Sequence, residues 1–462
     1  MSVVSTESVQ GDRVAERGEF VDSAPTRWNP LTRIVFRFCF VYFSVFCVVF
    51  PQFLYVYLGI VGTKLLPDNA ISWTLEILEP IFAWVGRHVF GVDAALHLET
   101  GSGDQTIIWI FLFCALVIAT AVTLVWTVLD RRRPSYPRLH AWFLLFLRLA
   151  LGGQMFFYGM AKVIPTQMPE PSLMALLTPY GHFTPMAVLW SQVGSSPVYQ
   201  ILLGSAEVLG GVLVLLPRTA TLGAMLSLVS IAQVFVLNMT FDVPVKILAG
   251  HLVLMSLVLL APQAGRLANM FVLQRPSAPA TQPEPFHSRR VRRVAVAVQF
   301  LLIPWVIVGL IQTDWQFWKE SGGAPKPPLY GIWTVSEFTE DGQPVPPLTT
   351  DTNRWQRLVF DVTGTAYQQM DGTLVPVVAA VDTSAGTLTL ADAKPTAHPL
   401  AVAQAAEPFG AFTFTQPAPD RLRLDGQLGG RPVTVTLEQT DLRSFPLRST
   451  GFRWVSDEPR FG

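Results

Sequence analysis

Seven apolar runs constrain this chain more than any other feature: Ile34–Leu58, Thr106–Leu129, Ala141–Met160, Tyr199–Leu216, Thr219–Leu237, Val245–Leu260 and Val294–Ile311. About 20 helical residues, rising about 1.5 Å each, cross a hydrocarbon layer of about 30 Å. Flanking aromatic and basic residues extend the shorter runs. Charged residues are only 14% of the 462-residue chain, against about 25% in soluble domains. The expected fold is therefore a membrane all-α helical bundle of about seven transmembrane helices. A smaller β-domain follows it.

Lys and Arg favour the cytoplasmic side of a membrane, and their placement predicts the orientation. Arg13, Arg17, Arg27 and Arg33 precede the first run, and Arg131, Arg132, Arg133 and Arg138 separate the second from the third. Arg218 follows the fourth run, and six arginines from Arg266 to Arg293 lie between the sixth and seventh. The alternate loops hold only Lys64, Arg87, Lys162 and Lys246. This pattern predicts a multi-pass protein of the cell (inner) membrane, with a cytoplasmic N-terminus and an extracytoplasmic C-terminal domain.

Residues 1–30 are polar, lack a signal-type apolar core, and read as a disordered cytoplasmic tail. Residues 31–138 would hold two transmembrane helices joined by an outer amphipathic helix, with Ile71, Leu75, Leu78, Phe82, Val85 and Val89 on its apolar face. Residues 139–264 would form a four-helix bundle, 265–292 a Pro-rich cytoplasmic linker, and 293–318 an anchor helix.

From 328 to 462 the pattern changes to short alternating runs: Leu388 and Leu390, Leu422 and Leu424, and Val433, Val435 and Leu437 alternate with polar residues. Turn signals recur at Asp371-Gly372, Ala385-Gly386, Asp425-Gly426 and Gly429-Gly430. About eight strands are expected, closed into a small antiparallel barrel or packed as a sandwich.

Several chemistries are disfavoured. The chain has three cysteines, Cys39, Cys47 and Cys114, all in apolar segments, with no CxxC, zinc spacing or phosphate-binding glycine loop. No metal is expected. No basic patch interleaved with aromatics suggests a nucleic-acid partner. The lipid bilayer is the expected environment, and a small molecule or quinone the expected ligand.

An ionisable group in hydrocarbon costs about 3 kcal/mol or more, so each one needs a partner or a purpose. Residues 139–264 contain only seven charged residues. Arg148, Tyr158 and Lys162 fall on one face of the third helix, and Glu207 lies in the fourth between Gly204 and Gly211. Counting helical rise places Arg148 and Glu207 at matching depth, which predicts that they pair. Such a pair either holds two helices in register or lines a ligand cavity. Tyr158, Lys162, Gln167, Asn238, Asp242, Lys246 and His251 gather toward the outer helix ends, and the loop Thr178–Trp190, with Tyr180 and His182, is either an ordinary surface loop or a lid. Read alone, His251 is an interhelical hydrogen-bond partner. Taken with the others, it helps line a polar cavity for a quinone-like or other polar-headed molecule.

The stretches Leu147–Ile164 and Ser205–Thr221 resemble the first two helices of the DoxX/DoxD-like family of four-helix membrane proteins. The matching positions are Arg148, Gly159 with Lys162, and Glu207 with Gly210 and Gly211. The resemblance covers residues of about 140–264. It implies association with thiosulfate:quinone oxidoreductase or other membrane oxidoreductase complexes, with a redox partner subunit. Likewise Gly331-Ile332-Trp333, opening the β-domain, resembles the Gly-x-Trp motif of lipocalin-like barrels. That resemblance implies a tryptophan packed on an arginine, for which Arg443, Arg448 and Arg453 are candidates. The barrel is then either a docking module or a cup for an apolar ligand. The expected function is a membrane component of a quinone-linked or sulfur/redox system. The alternative is a non-catalytic scaffold or assembly factor with a partner- or lipid-binding barrel.

Overall fold

The computed structural model describes residues 27–277, 285–286, 288–394 and 404–458. Most of the expected N-terminal tail and much of the Pro-rich linker lie outside them. Among the described residues, seven helices are long and apolar enough to cross a membrane. They are α1 (Pro30–Val49), α2 (Thr106–Leu129), α3 (Pro137–Val163), α4 (Pro197–Leu215), α5 (Ala220–Thr240), α6 (Lys246–Leu260), which two short helices extend to Phe271 to make the span, and α7 (Arg289–Glu320). The protein is a multi-pass membrane protein carrying a C-terminal β-barrel.

Helices α3 to α6 pack in sequence order, and α6 returns to α3, closing a four-helix ring. Helix α1 lies on α2 and also reaches α3. Its expected extent is corrected: the apolar run continues to Leu58, but α1 ends at Val49 and Pro51 opens a separate short helix. Proline has no N–H to continue the ladder and clashes with the preceding turn. The chain then folds back between α3 and α7, where Tyr57 donates to Leu149 O at 2.6 Å and Trp305 Nε1 to Tyr57 O at 3.2 Å. Gly59, at φ 52°, fits this crossing: a Cβ on Gly309 would lie 2.8 Å from the Gly59 Cα.

The amphipathic helix runs from Trp73 to Val85 and turns Leu75, Leu78, Phe82 and Val85 into the core. Ile71 and Val89, expected on the same face, are exposed.

The barrel comprises β1 (Gly331–Glu340), β2 (Trp355–Asp361), β3 (Gly364–Gln369), β4 (Leu374–Asp382), β5 (Thr387–Lys394), β6 (Gln404–Ala418), β7 (Arg421–Leu428) and β8 (Arg431–Gln439). A two-residue strand, Gln343–Pro344, appends to β1. Successive strands pair antiparallel, and β1 also pairs with β8 from Trp333 opposite Gln439 to Glu340 opposite Val433. Closure removes the exposed sheet edges. Alternation works as the pattern predicts. Val433, Val435 and Leu437 point inward while Thr434, Thr436 and Glu438 do not, and a core including Trp333, Trp355, Phe338, Phe360 and Phe412 fills the interior.

One turn expectation fails. Asp425-Gly426 lies inside β7, paired with Phe412 and Thr413. A Cβ on Gly426 would stand 2.1 Å from Ala411 O, so glycine here serves strand approach rather than a turn. Unanticipated turns include Asp341-Gly342, with φ of 50° and 75°, Val362-Thr363 between β2 and β3, and Pro419-Asp420 between β6 and β7.

Bundle and barrel touch. The short helix Leu173–Leu177, in the α3–α4 connection, lays Leu173 on Ile332 and Val359, outward-facing residues of β1 and β2 that are nonetheless fully buried. Asp361 Oδ2 accepts from Leu173 N at 2.8 Å, and Arg448 donates to Pro171 O at 3.0 Å.

Candidate functional site

Glycines bring α3 and α4 close. A Cβ on Gly204 would lie 2.5 Å from Gly159 O, and one on Gly211 would lie 2.8 Å from the Phe156 ring. Across this seam Lys162 Nζ meets Glu207 Oε2 at 2.8 Å, both side chains being 5% exposed. Nζ also donates to Tyr158 O at 3.3 Å. An ammonium has three donors, so one N–H is left for a ligand or water.

This geometry corrects the expected Arg148–Glu207 pair. Arg148 instead donates to the carbonyls at the end of α4, from Nε to Val214 O at 2.7 Å and from Nη2 to Leu215 O. Helical side chains lean toward their own N-terminus. In antiparallel α3 and α4 that lean carries Arg148 and Glu207 apart, whereas Lys162 and Glu207 converge. Rise alone gave the two Cα atoms a common depth and ignored this tilt. The arginine satisfies carbonyls that have no partner within the helix.

The pair borders a cavity of about 70 Å³ enclosed by α3, α4, α5, α6 and the α3–α4 connection. A bound water needs about 10–15 Å³ on this measure, so the space suits several waters or a small polar group. Its polar wall is Tyr158, Lys162, Gln167, Glu207, Gln233 and Asn238, and Leu203, Ile231, Leu237, Leu248 and Leu252 contribute apolar walls. Gln167 Oε1 is buried without a hydrogen-bond partner, an acceptor left for a donor in the cavity. Asn238 is buried, with Nδ2 3.4 Å from Val245 O.

The roof is a built structure. Trp190 lines the cavity and donates from Nε1 to Gln167 O at 3.0 Å. The Gln200 amide grips Met168, donating to its O at 2.8 Å and accepting from its N at 3.2 Å. The expected loop Thr178–Trp190 is corrected in its second half: a helix from Pro185 to Gly194, capped by Thr184, carries Leu189 and Trp190 over the cavity, whereas Tyr180 and His182, in the turn before it, stand exposed.

Other expected members lie elsewhere. Lys246 bridges Asp242 Oδ1 at 2.8 Å and Asp104 Oδ2 at 3.7 Å, outside the cavity lining. Asp104 also accepts from the backbone N–H of Lys246 and Ile247, capping α6 from the α1–α2 connection. His251 faces α1, its Nε2 2.8 Å from Tyr42 OH and its ring stacked on Phe46 at 3.9 Å. It is a satisfied interhelical contact rather than part of the cavity wall. At the barrel, Gly331 and Trp333 open β1, and Trp333 Nε1 donates to Leu329 O at 2.7 Å. Arg448 turns to the bundle loop instead.

Sequence reasoning missed Gln233, Asp104 and Arg37. Gln233 is a neutral polar residue within an apolar run, the signal that could have found it. Arg37 lies inside the first apolar run, fully buried, and donates to Tyr136 OH, Thr127 Oγ1 and Asp130 O.

No family model and no solved structure matches the chain. One curated relative does: the uncharacterized protein YwoB of Bacillus subtilis (strain 168) is 33% identical over 146 residues. The likeness spans 32% of this chain and 86% of that relative. On that coverage, the chain belongs to the family of YwoB, extended here by a large additional part of its length.

Proposed function

We propose that the four-helix ring is a DoxX-like, small-molecule-binding membrane component of a quinone-linked or sulfur-associated redox system. The observation that carries the reading is the Lys162–Glu207 pair set in a cavity wall beside Tyr158, Gln233, Asn238 and the unpartnered Gln167 oxygen. A buried ion pair is costly to assemble and is often neutral for stability, so its position at a cavity favours a binding role. The ammonium and the amides suit carbonyl or oxyanion groups, and the leucine-rich walls suit an apolar body. At about 70 Å³ the space accepts a polar head rather than a whole isoprenoid molecule, so the tail of a quinone would leave between helices. Cys39, Cys47 and Cys114 are free thiols in apolar helices with no CxxC spacing, so electrons would come from a bound cofactor or a partner subunit. The distribution of arginines supports an inner-membrane location with the barrel outside.

The test is quinone content after mild-detergent purification of wild type, Glu207→Gln and Lys162→Met. Loss of ubiquinone or menaquinone in both variants is expected. Equal recovery in all three overturns the reading. A second reading, a docking scaffold, is favoured by the filled barrel core and by the burial of Leu173 on the barrel's outer wall. A stable protein partner captured by the full chain, with no small molecule in the bundle, would support it.

A further inference from the structure

Of the described residues that line the Lys162–Glu207 cavity, Gln233 alone is exposed. Its neighbours on the surface of α5 are Leu222, Val229 and Val236, exposed apolar residues within about 60° of it around the helix. Such a stripe on a membrane helix faces hydrocarbon, and a polar side chain there needs a partner or a purpose. The Gln233 amide makes no hydrogen bond among the described residues. It stands at a mouth of the cavity that opens to lipid.

The mouth lies in the seam of α4 and α5. On the α4 side, α5 packs so closely that a Cβ on Gly223 would be 2.1 Å from Val214 N. On the α6 side, the Phe235 ring would be 3.2 Å from a Cβ on Gly250. Gln233 lies about 80° around the helix from Gly223 and about 160° from Phe235. Across the seam, Leu203 of α4 also lines the cavity and is half-buried. Leu203 and Gln233 follow closely on the helix ends nearer the barrel, Pro197 and Thr240, and both stand about 10 Å deep at about 1.5 Å per residue. Toward the barrel, Met168, Leu189, Trp190 and Val193 roof the cavity, all buried or half-buried.

We propose that the cavity takes its ligand sideways from the bilayer, through a portal between α4 and α5 whose rim amide, Gln233, receives the polar head. This deepens the small-molecule reading of the same site and rests on it. The substrate class is a membrane-dissolved amphiphile whose head carries hydrogen-bonding oxygens. The amide and the Lys162 ammonium meet the head, and the apolar tail stays in lipid along the seam. A water-soluble oxyanion would have no use for a mouth in hydrocarbon.

The experiment places one thiol inside the cavity, Ile231→Cys, in the full chain with Cys39, Cys47 and Cys114 replaced by alanine, reconstituted in phosphatidylcholine vesicles. N-dodecylmaleimide dissolved in the bilayer is expected to modify it. The water-borne reagent (2-sulfonatoethyl) methanethiosulfonate, supplied on both sides, is expected not to. Gln233→Trp fills the portal and should slow the lipid-borne reaction about tenfold, since a close-packed seam admits no reagent. Modification by the water-borne reagent at a comparable rate, or an unchanged lipid-borne rate in Gln233→Trp, overturns the portal. Failure of both reagents to react overturns it too. If Gln233→Trp does not fold, Leu203→Trp fills the other side of the seam and is read in the same way. Quinone plays no part in that measurement. Decylubiquinone added to the vesicles then reads the ligand, and protection of the introduced thiol supports a quinone head. Portal-dependent labelling without protection sustains the portal and overturns the quinone reading alone.

Discussion

The bundle and the barrel solve burial in opposite ways. The barrel fills its centre with side chains such as Leu358, Leu388, Val435 and Trp355, and its ion pairs, such as Arg423–Asp425 and Arg421–Glu438, stand in solvent. The bundle buries Lys162, Glu207, Asn238 and His251. A strand alternates between inside and outside, so polar residues have a place to go at every second position. A membrane helix has no such outlet, and a polar side chain there must find another helix or a cavity. The difference locates the candidate chemistry in the bundle. The barrel clasps the α3–α4 connection whose neighbouring segments roof the cavity.

The largest effect should come from halving the ion pair. Lys162→Met leaves Glu207 buried and unpaired, and about 3–5 kcal/mol of stability should be lost. Thermal unfolding of the full chain in detergent reads this loss, and Lys162→Met/Glu207→Leu should restore most of it. A double variant no better than the single would show that the two charges are not coupled.

The barrel's counterpart is Leu358→Ala. Its cavity should cost about 2–5 kcal/mol in the barrel transition and leave small-molecule retention by the bundle unchanged. Coupled loss of both would erase the division between the two regions.

Smaller effects probe the clasp. Asp361→Ala removes the acceptor of Leu173 N–H, worth about 1–2 kcal/mol locally. Hydrogen exchange should quicken between residues 168 and 177 while α5 stays protected. Unchanged exchange there would mean that apolar contact alone holds the clasp.

The least effect is electrostatic. Hydrogen bonds from Arg423, and then Thr434, hold the Asp425 carboxyl below the usual carboxylate range. Its contribution is complete above the unfolded value of about 4 and is lost as pH falls through the lower folded value. Because both partners are exposed, less than about 1 kcal/mol is at stake. A Thr434→Val/Asp425→Asn barrel should show a flatter stability profile below pH 4 than wild type.

Much of this architecture was legible in the chain. Long apolar runs have few solutions in lipid, and the alternation of Val433, Val435 and Leu437 has few solutions in a sheet, so helix number and a small antiparallel β-domain followed from pattern, whereas the pairing of β1 with β8 decided barrel over sandwich. Gly204 and Gly211 marked the close face of α4 correctly. Legibility stopped where direction mattered. The Arg148–Glu207 expectation used depth and neglected lean. His251 stood near the right end of its helix but on the α1 side, which only the packing angle reveals. Asp104 caps α6 across more than a hundred residues, a relation with no local signature.

By itself, then, the sequence determined that the chain crosses the membrane repeatedly, that an antiparallel β-domain follows, and that a few ionisable groups lie where hydrocarbon would be. Periodicity and transfer energy act on each segment separately, so they can be read one segment at a time. Only the tertiary structure decided which charges meet, which glutamine oxygens are left unpaired, and which loop the barrel grips. Those outcomes depend on side-chain lean and on the rotation of each helix about its axis, quantities fixed jointly by several elements and encoded in none of them alone.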